Sequence, residues 1–156
     1  MATILLCTDG SEAALQAIVS GVRLVPAERV VLVTVVDSPD PTLVTGVSGF
    51  AGGAMSPEEF DRYEADRRAG ADALLAETAR EAGLGPVEMR VLDGDAGTAI
   101  CDAAEAERVD VIVMGSRGRS GLRRAVLGSV SDHVVRHAPC SVLVTSTHAD
   151  DAQRSS

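Results

Sequence analysis

Apolar runs and amphipathic stretches alternate along this chain. Ala2 to Thr8 is an apolar run, the pattern of a strand covered on both faces. Val30 to Val36 is a second such strand, β-branched except at Leu32. Val87 to Leu92 alternates apolar and polar positions, which predicts an edge strand with one wet face. Val109 to Met114 and Ser141 to Thr145 supply two more strands. Between them the period changes to that of helices. After the turn Asp9-Gly10-Ser11-Glu12, Leu15, Ile18, Val22 and Val25 form an apolar stripe that Pro26 ends. Glu58 to Ala82 predicts a long helix with Tyr63, Leu74, Leu75 and Thr78 toward the core, stopped by Gly83 and Gly85. A third helix follows Asp95-Ala96-Gly97 and runs through Ile100, Ala103 and Ala104. A fourth covers Ser129 to Ala138, before Pro139.

Strict alternation of strand and helix predicts an α/β fold: a single-domain, five-stranded parallel sheet with helices on both faces. The expected strand order is 3-2-1-4-5, which places the alternating third strand at an edge, with right-handed crossovers. The winding then reverses between strands one and four, and ligands in such sheets bind at the strand C-termini beside that reversal. The residues there are Thr8-Asp9-Gly10 and Met114-Gly115. The last strand is apolar on both faces and unprotected at the opposite edge, so it is expected to pair with its copy in a homodimer through residues 141–145. The domain is expected to span 1–146, followed by a polar, disordered tail at 147–156.

The second of those turns is unusual. Gly115-Ser116-Arg117-Gly118 is followed by nine residues and then Gly128-Ser129. Glycines let backbone N–H groups approach a ligand, and a helix N-terminus adds free N–H groups with partial positive charge. Together they make an anion site, most often for phosphate. Arg117, Arg119, Arg123 and Arg124 fall within the loop, where guanidinium groups can grip phosphate oxygens. The plainer alternative is a strand–loop–helix turn with Ser129 as N-cap and Asp132 at N3.

Composition narrows the chemistry. Of 156 residues, all 14 basic ones are arginine, so no lysine is available. That excludes a Walker A loop, a protein kinase and a pyridoxal-phosphate Schiff base. It also argues against receiver domains, a competing fold that resembles a family using a lysine near its last strand. A net charge of −9 disfavours non-specific nucleic-acid binding, and only Phe50, Phe60 and Tyr63 are aromatic, too few for a base-stacking platform. Three cysteines without a C-x-x-C pair fit a reducing compartment. No membrane span or signal peptide is evident, so a cytoplasmic location is expected.

These features resemble the universal stress protein family in its ATP-binding branch. The resemblance rests on the opening strand ending in Asp-Gly-Ser-Glu, the second ending in Val-Val-Asp, Asp-Val-Ile-Val-Met-Gly, the G-x2-G-x9-G-S spacing, and Ala-Pro-Cys-Ser-Val-Leu-Val. It covers residues 2 to 145 and implies a Rossmann-like fold of the adenine-nucleotide α-hydrolase type. It implies ATP, with Mg²⁺, as cofactor. Thr8 would border the site and Asp9 would contact the nucleoside. Val35 or its neighbour would meet adenine through backbone groups, and Met114 and Gly115 would line the ribose. Gly118, Gly128, Ser129 and Val130 would cradle the phosphates, with Arg117, Arg119 and Ser131 beside them. The chain departs from the family at Thr34, where a histidine is usual.

The expected role is a nucleotide-dependent stress-response module acting on an unknown regulatory partner. A slow ATPase or phosphotransferase, or a dimeric interaction module without nucleotide, are the alternatives. No general base adjoins the glycine loop in sequence. The segment 38–57 reads as a lid, with Asp37 and Asp40 as candidate Mg²⁺ contacts. His133 and His137 have zinc-ligand spacing, but Val134 replaces the glutamate of H-E-x-x-H and no third ligand is evident, so they read as structural histidines. Cys7 lies near the site and reads as a buried thiol.

Overall fold

A computed structural model describes residues 2–38, 55–117 and 127–146. Five parallel strands, β1 (Thr3–Cys7), β2 (Arg29–Val36), β3 (Glu88–Asp93), β4 (Val111–Gly115) and β5 (Ser141–Thr145), pair in the order β3-β2-β1-β4-β5. The expected order is the observed one. Four helices connect them: α1 (Glu12–Leu24), α2 (Pro57–Glu81), α3 (Ala96–Ala106) and α4 (Ser129–His137).

Alternate residues of the central strands enter opposite cores, because strand side chains alternate with period two. Ile4, Leu6, Leu32 and Val113 pack with Ile18 of α1 and with Leu75 and Ala79 of α2. Leu5, Cys7, Val31, Val33, Ile112 and Met114 pack with Ile100, Cys101 and Ala104 of α3 and Val134 of α4. The sheet is therefore covered on both faces. Val142 and Val144 of β5 pack against one core and Leu143 against the other, as its two-faced apolar pattern requires.

Two helix faces differ from the reading of the sequence. Of the predicted stripe on α1, Ile18 is buried and Leu15 is half-buried, while the rest of the buried face is made by the small residues Ala14, Ala17 and Gly21. Helix and sheet come too close for bulk there: a Cβ on Gly21 would overlap the Val113 side chain. Val22 and Val25 flank this contact, half-buried. In α2, Tyr63 is 44% exposed rather than in the core. A helix of 25 residues extends roughly 37 Å, longer than strands of six to eight residues. Its buried residues, Ala71, Leu75, Thr78 and Ala79, lie in the second half, and Leu74 is half-buried. Among the described residues no helix is long and apolar enough to cross a membrane.

An ion-pair group ties β2, β3 and the end of α3 together. Arg29 meets Glu88 at 2.7 Å and Glu107 at 2.7 Å, and Arg90 meets Glu107 at 2.8 Å. It lies at the strands' N-terminal ends.

Candidate functional site

At the other end, the carboxyl ends of β1, β2 and β4 open into a cavity of about 340 Å³. Thr8, Asp9, Val35, Met114, Gly115, Arg117, Gly128, Ser129, Val130 and Ser131 line it. These are all the candidate site residues that fall within the described part of the chain. Gly118 and Arg119 lie outside the described residues, as do Arg123, Arg124, Asp40, the tail 147–156 and most of the 38–57 segment. The structure adds Cys7, Ala14, Ala96 and Ile100 to the lining. Ala96 and Ile100 belong to α3, which packs on the same sheet face as α4, against Cys7 and Met114. No local motif marks them, although Ile100 was legible as a core position.

The β1–α1 turn is held by its own side chains. The Thr8 N–H donates to the Val33 carbonyl at 3.0 Å, extending the β1–β2 ladder by one bond. The Gly10 N–H donates to Thr8 Oγ1 at 3.1 Å, and the Ser11 N–H to Asp9 Oδ1 at 2.9 Å. Gly10 has φ of 81°, a conformation that glycine adopts without a Cβ clash. The Asp9 carboxyl is thus oriented at the rim of the cavity by a local Asx turn.

The β4–α4 connection is closed at its base. The carbonyl of Ser116 accepts the Gly128 N–H at 2.7 Å and the Ser131 hydroxyl at 3.1 Å. The Ser131 hydroxyl also lies 3.0 Å from the Gly128 carbonyl. The Ser116 N–H donates to Thr145 of β5 at 2.8 Å. Ser116 and Ser131 are both buried. Ser131 borders the cavity, but its hydroxyl is engaged with backbone carbonyls.

The N-terminus of α4 differs from the others. Ser11 caps α1, Ser56 forms a capping box on α2, and Asp95 caps α3. The N-cap of α4 is Gly128, with no side-chain cap; the Ser129–Asp132 capping box does not form, because Ser129 is already the first helical residue. The Asp132 N–H makes the first helical bond, to Gly128 at 2.9 Å. Helix geometry leaves the N–H groups of Ser129, Val130 and Ser131 without intrahelical partners, at the wall of the cavity and beside Arg117.

The opposite wall is apolar: Cys7, Val35, Ala96, Ile100 and Met114. Burial, together with the nearby Cys101, pushes the Cys7 thiol up to about 12, so it remains protonated and serves as a small apolar group rather than a nucleophile. Burial raises Cys101 and Cys140 as well. The cavity therefore suits a ligand with a flat apolar part and an anionic end.

His133 and His137 lie elsewhere, in a cleft between α3 and α4. Their rings stack at 4.3 Å, and His137 Nδ1 donates to the His133 carbonyl at 2.8 Å. Among the described residues no three His, Cys, Asp or Glu side chains are arranged to hold a metal ion.

Comparison with known proteins gives a consistent result. The model of the universal stress protein family matches residues 1–146. Universal stress protein MJ0531 of Methanocaldococcus jannaschii is 32% identical over 145 residues, covering 90% of this chain and 79% of that protein. The solved structure of hypothetical protein MJ0577 superposes with a TM-score of 0.71 at 29% identity, covering 93% of this chain and 95% of that one. A universal stress protein crystallised in complex with cAMP shares the fold, with a TM-score of 0.62 at 22% identity over 92% of this chain and 96% of that one.

Proposed function

Because the chain belongs to the universal stress protein family, we propose that it is an ATP-binding, nucleotide-dependent regulatory module whose ligand occupies the cavity at the carboxyl end of the sheet. The observation that carries this reading is the N-terminus of α4. It is the helix start without a side-chain cap among the described helices, and it faces a cavity that also holds Arg117. Orphan N–H groups, the helix dipole and a guanidinium favour the same ligand, an anion with several acceptor oxygens.

In this reading the Ser129 and Val130 N–H groups, the Ser129 hydroxyl and Arg117 hold phosphates, with Gly118 assigned by the glycine spacing and Arg119 by its place in the glycine loop. Gly128 keeps that approach free of a side chain. The base lies in the apolar slot between Val35, Ile100 and Met114, with the backbone at Val35 meeting its edge. Asp9 accepts from the nucleoside, and Gly115 borders the ribose. Mg²⁺ would be held chiefly by phosphate oxygens and water, as this ion prefers, with exposed Asp37, just after β2, as the one of the two candidate carboxylates that lies among the described residues. The acidic, lysine-free chain would act in the cytoplasm as a homodimer paired through 141–145. Nucleotide occupancy would set its affinity for a regulatory partner.

The test is to denature freshly purified protein and identify released nucleotide by mass spectrometry, with about one ATP per chain expected. Titrations with Mg-ATP and cAMP follow, prompted by the cAMP complex of the related protein. Tighter binding of cAMP would reassign the ligand. An empty protein that gains no thermal stability from Mg-ATP would overturn nucleotide binding; ligand at about 100 times its Kd adds ~2.7 kcal/mol. A turnover assay separates a regulator from a slow ATPase.

A further inference from the structure

We infer that Ser131 is a positioning residue: its buried hydroxyl latches the neck of the β4–α4 loop and so sets the phosphate end of the nucleotide site. This rests on the nucleotide reading above and goes beyond it. Three observations carry it. The Ser131 side chain is inaccessible, at 2% exposure, so its hydroxyl must be satisfied within the protein. It has one proton and two acceptors within reach, the Ser116 carbonyl at 3.1 Å and the Gly128 carbonyl at 3.0 Å. The same Ser116 carbonyl takes the Gly128 N–H at 2.7 Å.

The consequence is geometric. Ser116 ends the strand side of the loop and Gly128 begins the helix side. Two donors on one carbonyl hold these ends together, whatever the loop between them does. Gly128 is the N-cap, so the neck also fixes where the orphan N–H groups of Ser129 and Val130 point. The neck is anchored in turn, because the Ser116 N–H is bonded to Thr145 of β5. The second acceptor makes the arrangement a latch. When the bond to Ser116 is released, the hydroxyl keeps the Gly128 carbonyl, within its own helix turn, and is not left unpaired. The neck can therefore loosen without stranding a buried hydroxyl.

Most of the base slot is built from β1, β2 and α3, and Met114 of β4 is its one member close in sequence to this neck. Loss of the latch should therefore weaken ligands in proportion to their phosphates. The experiment measures Kd for Mg-ATP and for adenosine by calorimetry on wild type, Ser131→Ala and Ser131→Thr, with hydrogen exchange at the Gly128 amide in the ligand-free proteins. Ser131→Ala should raise the Kd for Mg-ATP roughly five- to tenfold, the scale of one hydrogen bond. The loss for adenosine should be several times smaller. The Gly128 amide should exchange faster, and Ser131→Thr, which keeps the hydroxyl, should recover most of the ATP affinity and protection. Equal losses for the two ligands would show a general structural defect and overturn the latch. So would unchanged exchange and unchanged ATP affinity in Ser131→Ala. Wild-type protein that binds neither ligand would instead overturn the nucleotide reading itself, and this inference with it.

Discussion

Gly97 lies directly beneath the ring of His133. A Cβ at position 97 would stand 2.6 Å from His133 Cδ2 and 2.7 Å from Cγ, closer than side-chain atoms tolerate. This contact sets the separation of α3 and α4, the two helices that supply Ala96 and Ile100 on one side of the cavity and Ser129 and Val130 on the other.

Gly97→Ala should therefore wedge the two helices apart. Overpacking of this kind costs about 1–3 kcal/mol, partly offset by the better helix propensity of alanine. A lowered Tm, with Mg-ATP affinity reduced as the cavity widens, is the expected outcome. Adding His133→Ala should recover much of the stability, because the two changes share one contact and are not additive. Thermal melts of the two single variants and the double variant check this; simple addition of the losses would refute the wedge.

Gly128→Asp should separate stability from binding. Gly128 has φ of −71°, which an L-residue adopts without strain, and its Cβ would meet nothing nearer than 3.4 Å. Aspartate at an N-cap accepts from the first-turn N–H groups and stabilises a helix by roughly 0.5–2 kcal/mol relative to a residue without a cap, though only a few tenths relative to glycine. Those are the donors assigned to phosphate. An unchanged or slightly raised Tm with loss of Mg-ATP binding is expected. Undiminished affinity in the folded variant would move the phosphate site away from α4.

The ion-pair group at Glu88 predicts a pH dependence. Hydrogen bonds from Arg29, joined by Arg90, lower the Glu88 carboxyl to about 2 from its ordinary 4.5. A carboxylate depressed in the folded state adds stability that is present above the unfolded value and lost as pH falls through the folded one. Wild type should therefore melt above Glu88→Gln at neutral pH, and the gap should close between about pH 4.5 and 2. Both groups are substantially exposed, so the gap should also shrink with added salt. A gap constant down to pH 2 would assign it to packing.

The edge position of β5 predicts self-association. An apolar edge strand with no charge or proline among Val142, Leu143 and Val144 invites pairing with another copy. Light scattering at micromolar concentration should give twice the chain mass of 16.1 kDa. A monomer mass would overturn pairing through this edge.

The resemblance to the universal stress protein family implied most of the ten candidate residues that line the cavity; strand order and the parallel sheet were legible in the sequence itself because they depend on local signals. These are a two-residue or 3.6-residue period, glycines at loop ends, and a reversal of winding that follows from the order of elements. The sequence by itself determined where strands end and therefore that Asp9 and Gly115 face one crevice. Only the tertiary structure decided what depends on how closely elements dock. The small face of α1 follows from the closeness of Gly21 to Val113, and the overhang of Tyr63 from the mismatch between helix and strand lengths. The entry of Ala96 and Ile100 into the cavity is a matter of how α3 docks on the sheet beside α4. The engagement of Ser131 with Ser116, 15 residues away, depends on a carbonyl that no side-chain pattern encodes. Periodicity reports which face of an element is buried; it carries no distance between elements, and the walls of this site are set by those distances.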